Sequence, residues 1–258
     1  MNETIDLMLK RRSVRTYADR AIENAEKQAI YDCAMRAPTA GNMMLYTMIE
    51  ISDQQLKDKL AVSCDNQPFI AKAPLLVLFA ADFQRMYDFY DYSGAAKWSE
   101  EQGIDFRKPS EGDLFLAMND ALIAAQSAVT AAESLGIGSC YIGDIMERIE
   151  YHRELLDLPD YVFPVTMLCF GYPKTDGPKS QIPRYEKKFI VHENGYKRFD
   201  SEELLHLTDN LENWRYKGQA ADLVGGNMGI HTYNRKYATE YSAEMNRSVR
   251  EALRSWKN

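Results

Sequence analysis

The chain has 258 residues, 45% of them apolar, and 31 Lys+Arg against 38 Asp+Glu for a net charge of −7. That length can bury a sizeable core, and no uninterrupted apolar run reaches the ~18 residues that would cross a bilayer. The acidic balance argues against a nucleic-acid surface, and no cysteine or histidine spacing points to a metal. Residues 1–6 lack the basic-then-apolar order of a signal peptide, so a cytoplasmic location is expected. Ile5, Met8 and Leu9 form a short helical stripe that runs into Arg11, Arg12, Ser13 and Arg15. A second helix is predicted over 25–36, capped by Asn24, with Ile30, Cys33, Ala34 and Ala37 on one face. It stops before Pro38, because proline disfavours helix in the residue preceding it. Residues 38–42 then read as a loop, 44–51 as a strand and 53–62 as a short helix.

The continuous apolar run at 75–81 suits a strand buried on both faces. Residues 91–112 carry Gly94, Gly103, Pro109 and Gly112 and read as an excursion with a short helix of its own. The clearest helix is 113–135. Asp113 is its expected cap, apolar residues cover nearly its whole circumference, and such a helix is expected to be buried. Gly136 fits the stop position. Strands follow at 139–142, ending at Gly143, and at 162–170, with Pro164 placed near a strand start or at an edge. From about 186 the composition turns polar. Helices are predicted at 201–213 and 236–256, and neither makes a core of its own, so this part reads as an extension wrapped over something else. Strands interleaved with helices favour an α+β or mixed α/β layer around one sheet.

Three arginines and a hydroxyl within five residues suit a phosphate, since guanidinium groups bind its oxygens bidentately. The competing reading is a solvated last helical turn that favours the helix dipole. Gln67 offers a donor and an acceptor, suited to a heterocycle edge or simply to a surface loop. The cysteines at 33, 64, 140 and 169 read as reduced, mostly buried thiols, and His152, His192, His206 and His231 read as structural.

Taken together, these stretches resemble the FMN-dependent nitroreductase and flavin reductase family. The matching motifs are RRSVRTY at 11–17, APTAGN at 37–42, NQPFIAKAPLLVLFAAD at 66–82, SLGIGSCYIGDI at 134–145 and LPDYVFPVTMLCFGYP at 158–173. IPR at 182–184 and VHENGY at 191–196 follow in order. The likeness is greatest to the larger, NADPH-preferring branch with a C-terminal extension. It implies an α+β nitroreductase-like fold, with a mixed sheet flanked by helices, a C-terminal helical extension and an intertwined homodimer. It also implies one domain over 1–258, with a core of about 1–196 and an extension of about 197–258. FMN is the implied cofactor and NADPH or NADH the reductant. Small planar electron acceptors such as nitroaromatics, quinones or flavins complete a ping-pong cycle, with no nucleic-acid or membrane partner.

By the same resemblance, Arg11, Arg12, Ser13 and Arg15 match the phosphate and flavin motif, with Arg12 and Ser13 at the FMN phosphate, Arg15 at the N1/O2 edge of the ring and Gln67 on its pyrimidine edge. Arg184 would close on the phosphate. Ile182 stands where many relatives have lysine, and whether Lys187 or Lys188 replaces it stays open. Pro38, Thr39, Ala40 and Asn42 match a loop that reaches across the dimer. Met44-Leu45-Tyr46 departs from the Gln-Pro-Trp of many relatives. Tyr141, Ile142 and Gly143 lie against one flavin face, with Asp144 either near it or turned to solvent. No side chain is required as a catalytic acid. Arg235 and Lys236 are candidates for the 2′-phosphate of NADPH. Competing readings are a low-turnover flavin-binding or storage protein, and a thiol redox protein using Cys33 or Cys140.

Overall fold

A computed structural model describes residues 2–174, 181–216 and 223–257. The chain opens with α1 (Glu3–Lys10) and α2 (Asn24–Met35), followed by strand β1 (Tyr46–Glu50). Helices α3 (Gln54–Ser63) and α4 (Pro68–Ala71) lead to β2 (Leu75–Asp82), then α5 (Gln84–Tyr92) and α6 (Ala95–Gln102). The long α7 (Glu111–Ser134) precedes β3 (Gly138–Ile142), α8 (Ile149–Leu155) and β4 (Val162–Gly171). Short helices α9 (Ser201–Leu205), α10 (Asp209–Tyr216) and α11 (Met228–Thr232) come before α12 (Glu240–Ala252).

The sheet order is β1-β2-β4-β3, and every pairing between these strands is antiparallel. The sheet is therefore antiparallel rather than mixed, and its parallel component is the single bridge between Ser13 and Ser139. All of β2 and β4 is buried. Successive residues of a strand point to opposite faces, so Leu75, Val77, Phe79 and Ala81 join the core under α7. Leu76, Leu78 and Ala80 join a second cluster with Leu60 and Ala61 of α3. This two-sided cover is why β2 reads as a continuous apolar run. Pro164 is the third residue of β4, near the strand start as expected, on a central strand rather than an edge one. It pairs with Ala80 where the register shifts between Phe79 and Ala80, and such a bulge tolerates the missing N–H.

Two helix caps differ from the sequence expectation. Glu23, not Asn24, caps α2 through a reciprocal box with Glu26. Ser110 caps α7, and Asp113 lies in its first turn, accepting from the Ser110 N–H at 2.9 Å. Nor is α7 buried all round. Its alanine stripe (Ala117, Ala121, Ala124, Ala128) lies in the core, whereas Phe115, Leu116, Leu122 and Ile123 are 62%, 40%, 43% and 41% exposed. Small side chains let neighbouring elements approach one face, and the large ones are left on the other. Glu111–Ser134 has the length and mean hydropathy of a membrane span, yet its inner face is the floor of the core and carries the buried Asp120.

The chain divides into two units, residues 1–177 with 244–258, and residues 178–243. The C-terminal end belongs to the first unit, where Ala252 and Trp256 enter the main core cluster. Within the second unit Phe189 packs edge-on against Phe199, ring centroids 5.1 Å apart, and Met228 is buried.

Candidate functional site

The basic segment is laid along the sheet by its backbone. The Val14 N–H donates to Ser139 O at 2.9 Å and the Ala18 N–H to Tyr172 O at 2.8 Å, with Tyr17 bridged to Pro173 between them. Two glycines permit this approach. A Cβ on Gly138 would stand 2.3 Å from Val14 Cγ2, and one on Gly171 2.4 Å from Tyr17 Cδ1. Val14 is buried while Ser13 and Arg15 on either side are exposed. The Arg15 guanidinium lies over the Phe69 ring, 5.7 Å from its centroid. Burial raises the Cys140 thiol pKa, opposed by Arg15 and Ser13 close by. Burial likewise raises the Glu133 carboxyl, opposed by Arg11 and Arg12. On the same flank the Tyr141 hydroxyl donates to Gln126 Oε1 at 3.2 Å, and burial pushes its pKa up to about 12.

A cleft of about 630 Å³ opens beside Arg15, lined by Arg15, Tyr17, Arg20, Phe69, Lys72 and Lys174, with Asp19 the acid among its lining residues. A cavity of equal volume, about 630 Å³, lies elsewhere, between Val62, Arg148, Tyr151 and Arg247. There Arg247 is already engaged by Glu150 and Glu244 at 2.7 Å each, so the Arg15 cleft is the better anion site.

The 38–45 loop is built around one carboxylate. Asp120 accepts from the Thr39 hydroxyl, from the Ala40 N–H at 3.0 Å and from the Leu45 N–H at 3.1 Å. The Thr39 Oγ1 in turn accepts from the Met44 N–H at 2.9 Å. Gly41, Asn42 and Met44 have φ of 56°, 57° and 51°. For a non-glycine residue that conformation costs ~1–3 kcal/mol and persists only where the surroundings enforce it. Pro38, Gly41 and Asn42 face solvent. Asp120 escaped the sequence reading. Its one signal was a carboxylate three residues after Ala117 and four before Ala124, on the helix's apolar stripe.

Gln67 caps α4, its N–H bonded to Ala61 O at 2.8 Å and its Nε2 to Cys64 O at 2.9 Å. The side-chain nitrogen is thus committed to its own chain. Gly143 ends β3 and accepts from the Met146 N–H at 3.1 Å. Asp144 is half-buried rather than turned out to solvent. It helps raise Glu147, which burial chiefly pushes up to about 7. Glu147 is 6% exposed, and its Oε1 has no hydrogen-bond partner among the described residues.

The first unit therefore brings Ser13, Arg15, Phe69 and Cys140 together. It does not bring the 38–42 loop to them. Asp120 and Glu133 are separated along α7 by ~20 Å at 1.5 Å per residue. Arg184 belongs to the second unit, where it is exposed and its carbonyl accepts from Asn210 Nδ2 at 3.2 Å. There Lys188 pairs with Glu186 at 3.1 Å. Arg235 and Lys236 are exposed on a single wide helical turn, Tyr233–Tyr237, whose end tyrosine rings lie 5.6 Å apart.

The thiols are free, with Cys33 exposed and the other three buried. Cys140 and Cys169 face each other across β3 and β4, a pairing invisible in sequence spacing. Burial raises both pKa values, which suppresses the thiolate that redox exchange requires. His152 is structural. It is buried between Ile145 O at 2.9 Å and Ser63 Oγ at 2.8 Å, and burial lowers its pKa.

The first unit is thus an antiparallel sheet over an alanine-rich core helix, with a basic segment beside β3. Two solved structures share this fold. NfrA1 nitroreductase from B. subtilis matches with a TM-score of 0.77 at 26% identity, over 97% of this chain and 98% of that one. NfrA2 from B. megaterium matches with a TM-score of 0.74 at 30% identity, over 96% and 98%. Among curated relatives, "FMN reductase (NADPH)" of Bacillus subtilis is 33% identical over 76% of this chain and 75% of its own length. "Oxygen-insensitive NADPH nitroreductase" of Salmonella typhimurium is 32% identical over 82% of each chain. The nitroreductase family model matches residues 8–172, and the chain belongs to the nitroreductase family.

Proposed function

We propose that this chain is an NAD(P)H-dependent FMN oxidoreductase that passes reducing equivalents to nitroaromatics, quinones or free flavins. The observation that carries this reading is the basic segment bonded to β3 at Val14, whose Arg15 lines, with Arg20, Lys72 and Lys174, a cleft of about 630 Å³ that lies within the range of small-molecule sites. The donor set fits FMN. Arg12 and Ser13 would hold the phosphate, with Arg11 beside them in the same basic segment. Arg15 places positive charge at the N1/O2 edge, which favours the reduced, anionic ring. The Gln67 amide and the Tyr141, Ile142 and Gly143 segment orient the ring. When bound, FMN supplies the hydride chemistry. NADPH would be the reductant and an oxidised acceptor would follow it in a ping-pong cycle, with the positive charge of Arg235 and Lys236 offered as the reason for a preference for NADPH over NADH.

The working form is a cytoplasmic homodimer in which each chain acts as one domain. Two observations support the pairing. The outer face of α7, with Ile5, Met8 and Leu9 of α1, leaves large apolar side chains exposed. The Pro38, Thr39, Ala40 and Asn42 loop stands ~20 Å along α7 from the arginine row, so it completes the site of a second chain. The test is made on the purified protein. Acid precipitation is expected to release FMN, and sedimentation to give twice the 29.6 kDa of one chain. NADPH oxidation is expected to depend on a quinone or nitroaromatic. A colourless protein that takes up no FMN would sink the reading. A yellow protein without turnover would mark a flavin-binding or storage protein, and a yellow monomer would remove the dimer.

A further inference from the structure

We propose that Asp120 is a positioning residue for flavin binding, setting from inside the core the shape of the 38–45 loop. The inference rests on the FMN reading above. A carboxylate on an apolar helical stripe is expensive to bury unless its oxygens are hydrogen-bonded. Asp120 is 3% exposed and its neighbours on that face are alanines. The helix packs around it for a reason outside the helix. That reason is the loop, whose Ala40 and Leu45 N–H groups it accepts directly and whose Met44 N–H it reaches through the Thr39 hydroxyl. Ala40 opens a short 3-10 turn (Ala40–Asn42) whose first amide has no partner within the turn, and Met44 and Leu45 precede β1, so these amides need an acceptor from elsewhere.

The opposite side of the loop is held by the opposite charge. Arg85 donates to Met44 O and, at 3.2 Å, to Tyr46 O, and is itself paired with Asp82 at 3.3 Å. Donors of the loop thus turn inward to Asp120 and acceptors to Arg85. Only Pro38, Gly41 and Asn42 are left facing out. A loop clamped this way presents its outward groups without ordering cost on binding. Asp120 itself is too buried to touch a ligand, so its effect passes through loop shape.

The experiment uses holoprotein of the parent, Asp120→Asn, Asp120→Ala and Thr39→Val. Amide hydrogen exchange is followed over 38–46, with the β2 segment as an internal reference. FMN release is followed by flavin fluorescence on dilution. The expected result is exchange at least tenfold faster over 38–46 with β2 unchanged, and FMN affinity weakened about tenfold. Asp120→Asn, which keeps one acceptor oxygen, should fall between the parent and Asp120→Ala. If Asp120→Ala does not fold, Thr39→Val removes the relay from outside the core helix. Faster loop exchange at unchanged FMN affinity overturns the role, as does unchanged exchange. A parent that holds no FMN overturns the flavin reading and the role with it. A parent that holds FMN as tightly as its variants overturns the role of Asp120 alone.

Discussion

The 38–46 loop, held at Asp120 partway along α7, and the basic segment beside β3 are built in opposite ways. Around 38–46, side chains hold a backbone, with Asp120 and Arg85 gripping amides and carbonyls of a left-handed turn. Along 13–18, a backbone holds side chains, as two inter-strand hydrogen bonds and two glycine contacts fix the chain and leave Ser13 and Arg15 facing out. The first arrangement stores shape and the second presents charge. An anion needs donors at a fixed spacing more than a fixed loop, and a rigid strand supplies that spacing.

The largest expected effect comes from breaking the second arrangement at its backbone. Gly138→Ala puts a methyl group 2.3 Å from Val14 Cγ2 and 2.9 Å from Val14 Cβ, where a buried, branched side chain cannot swing away. Overpacking of this kind costs about 2–3 kcal/mol, read as a lower urea midpoint, and FMN should be released more readily. An unchanged midpoint would mean that the segment does not depend on that contact.

Arg12→Ala sharpens the contrast, because it removes charge and leaves the backbone in place. Charge-assisted hydrogen bonds contribute ~1.5–3 kcal/mol, so FMN affinity should fall at least tenfold, with a smaller shift of the urea midpoint than Gly138→Ala gives. A shifted midpoint at constant affinity would make Arg12 structural and erase the distinction.

The smallest effect tests the turn behind Gly143, which belongs to neither arrangement. Glu147 has a folded pKa of about 7 against 4.5 for the unconstrained group. The folded state keeps this proton to higher pH, so ionisation favours unfolding. Stability conferred by the neutral carboxyl is complete below ~4.5, declines as pH rises to about 7 and levels off above. Glu147→Gln should remove that decline, gaining roughly 1–2 kcal/mol over the parent between pH 5 and pH 8. Parallel stability profiles for parent and variant would show that the carboxyl is not destabilised there.

Much of the fold was legible because it is written in short periods. The unbroken apolar run of β2 announced cover on both faces, and the alanines of α7 announced close packing. The arginine cluster was legible as suited to an anion from donor chemistry alone, but that its backbone runs beside β3 through the Val14–Ser139 bond was not. Cap identities were missed by small margins, as at Ser110 and Glu23, because neighbouring polar residues compete for the same end. Pro164 was legible as lying near a strand start, but the bulge beside it was not, because a bulge depends on the partner strand.

Local periodicity and donor chemistry depend on residues a few positions apart, so the sequence by itself determined the elements, the two-sided core and the phosphate-suited arginine row. Partners far apart in the chain left no such pattern. Asp120 meets Thr39 and Ala40 across some eighty positions, and Cys140 meets Cys169 only through strand register. Which face of α7 is buried, and the ~20 Å that parts the 38–42 loop from the arginines, were likewise decided only by the tertiary structure. Packing chooses one face of a helix that is apolar on all sides, and no sequence period distinguishes them.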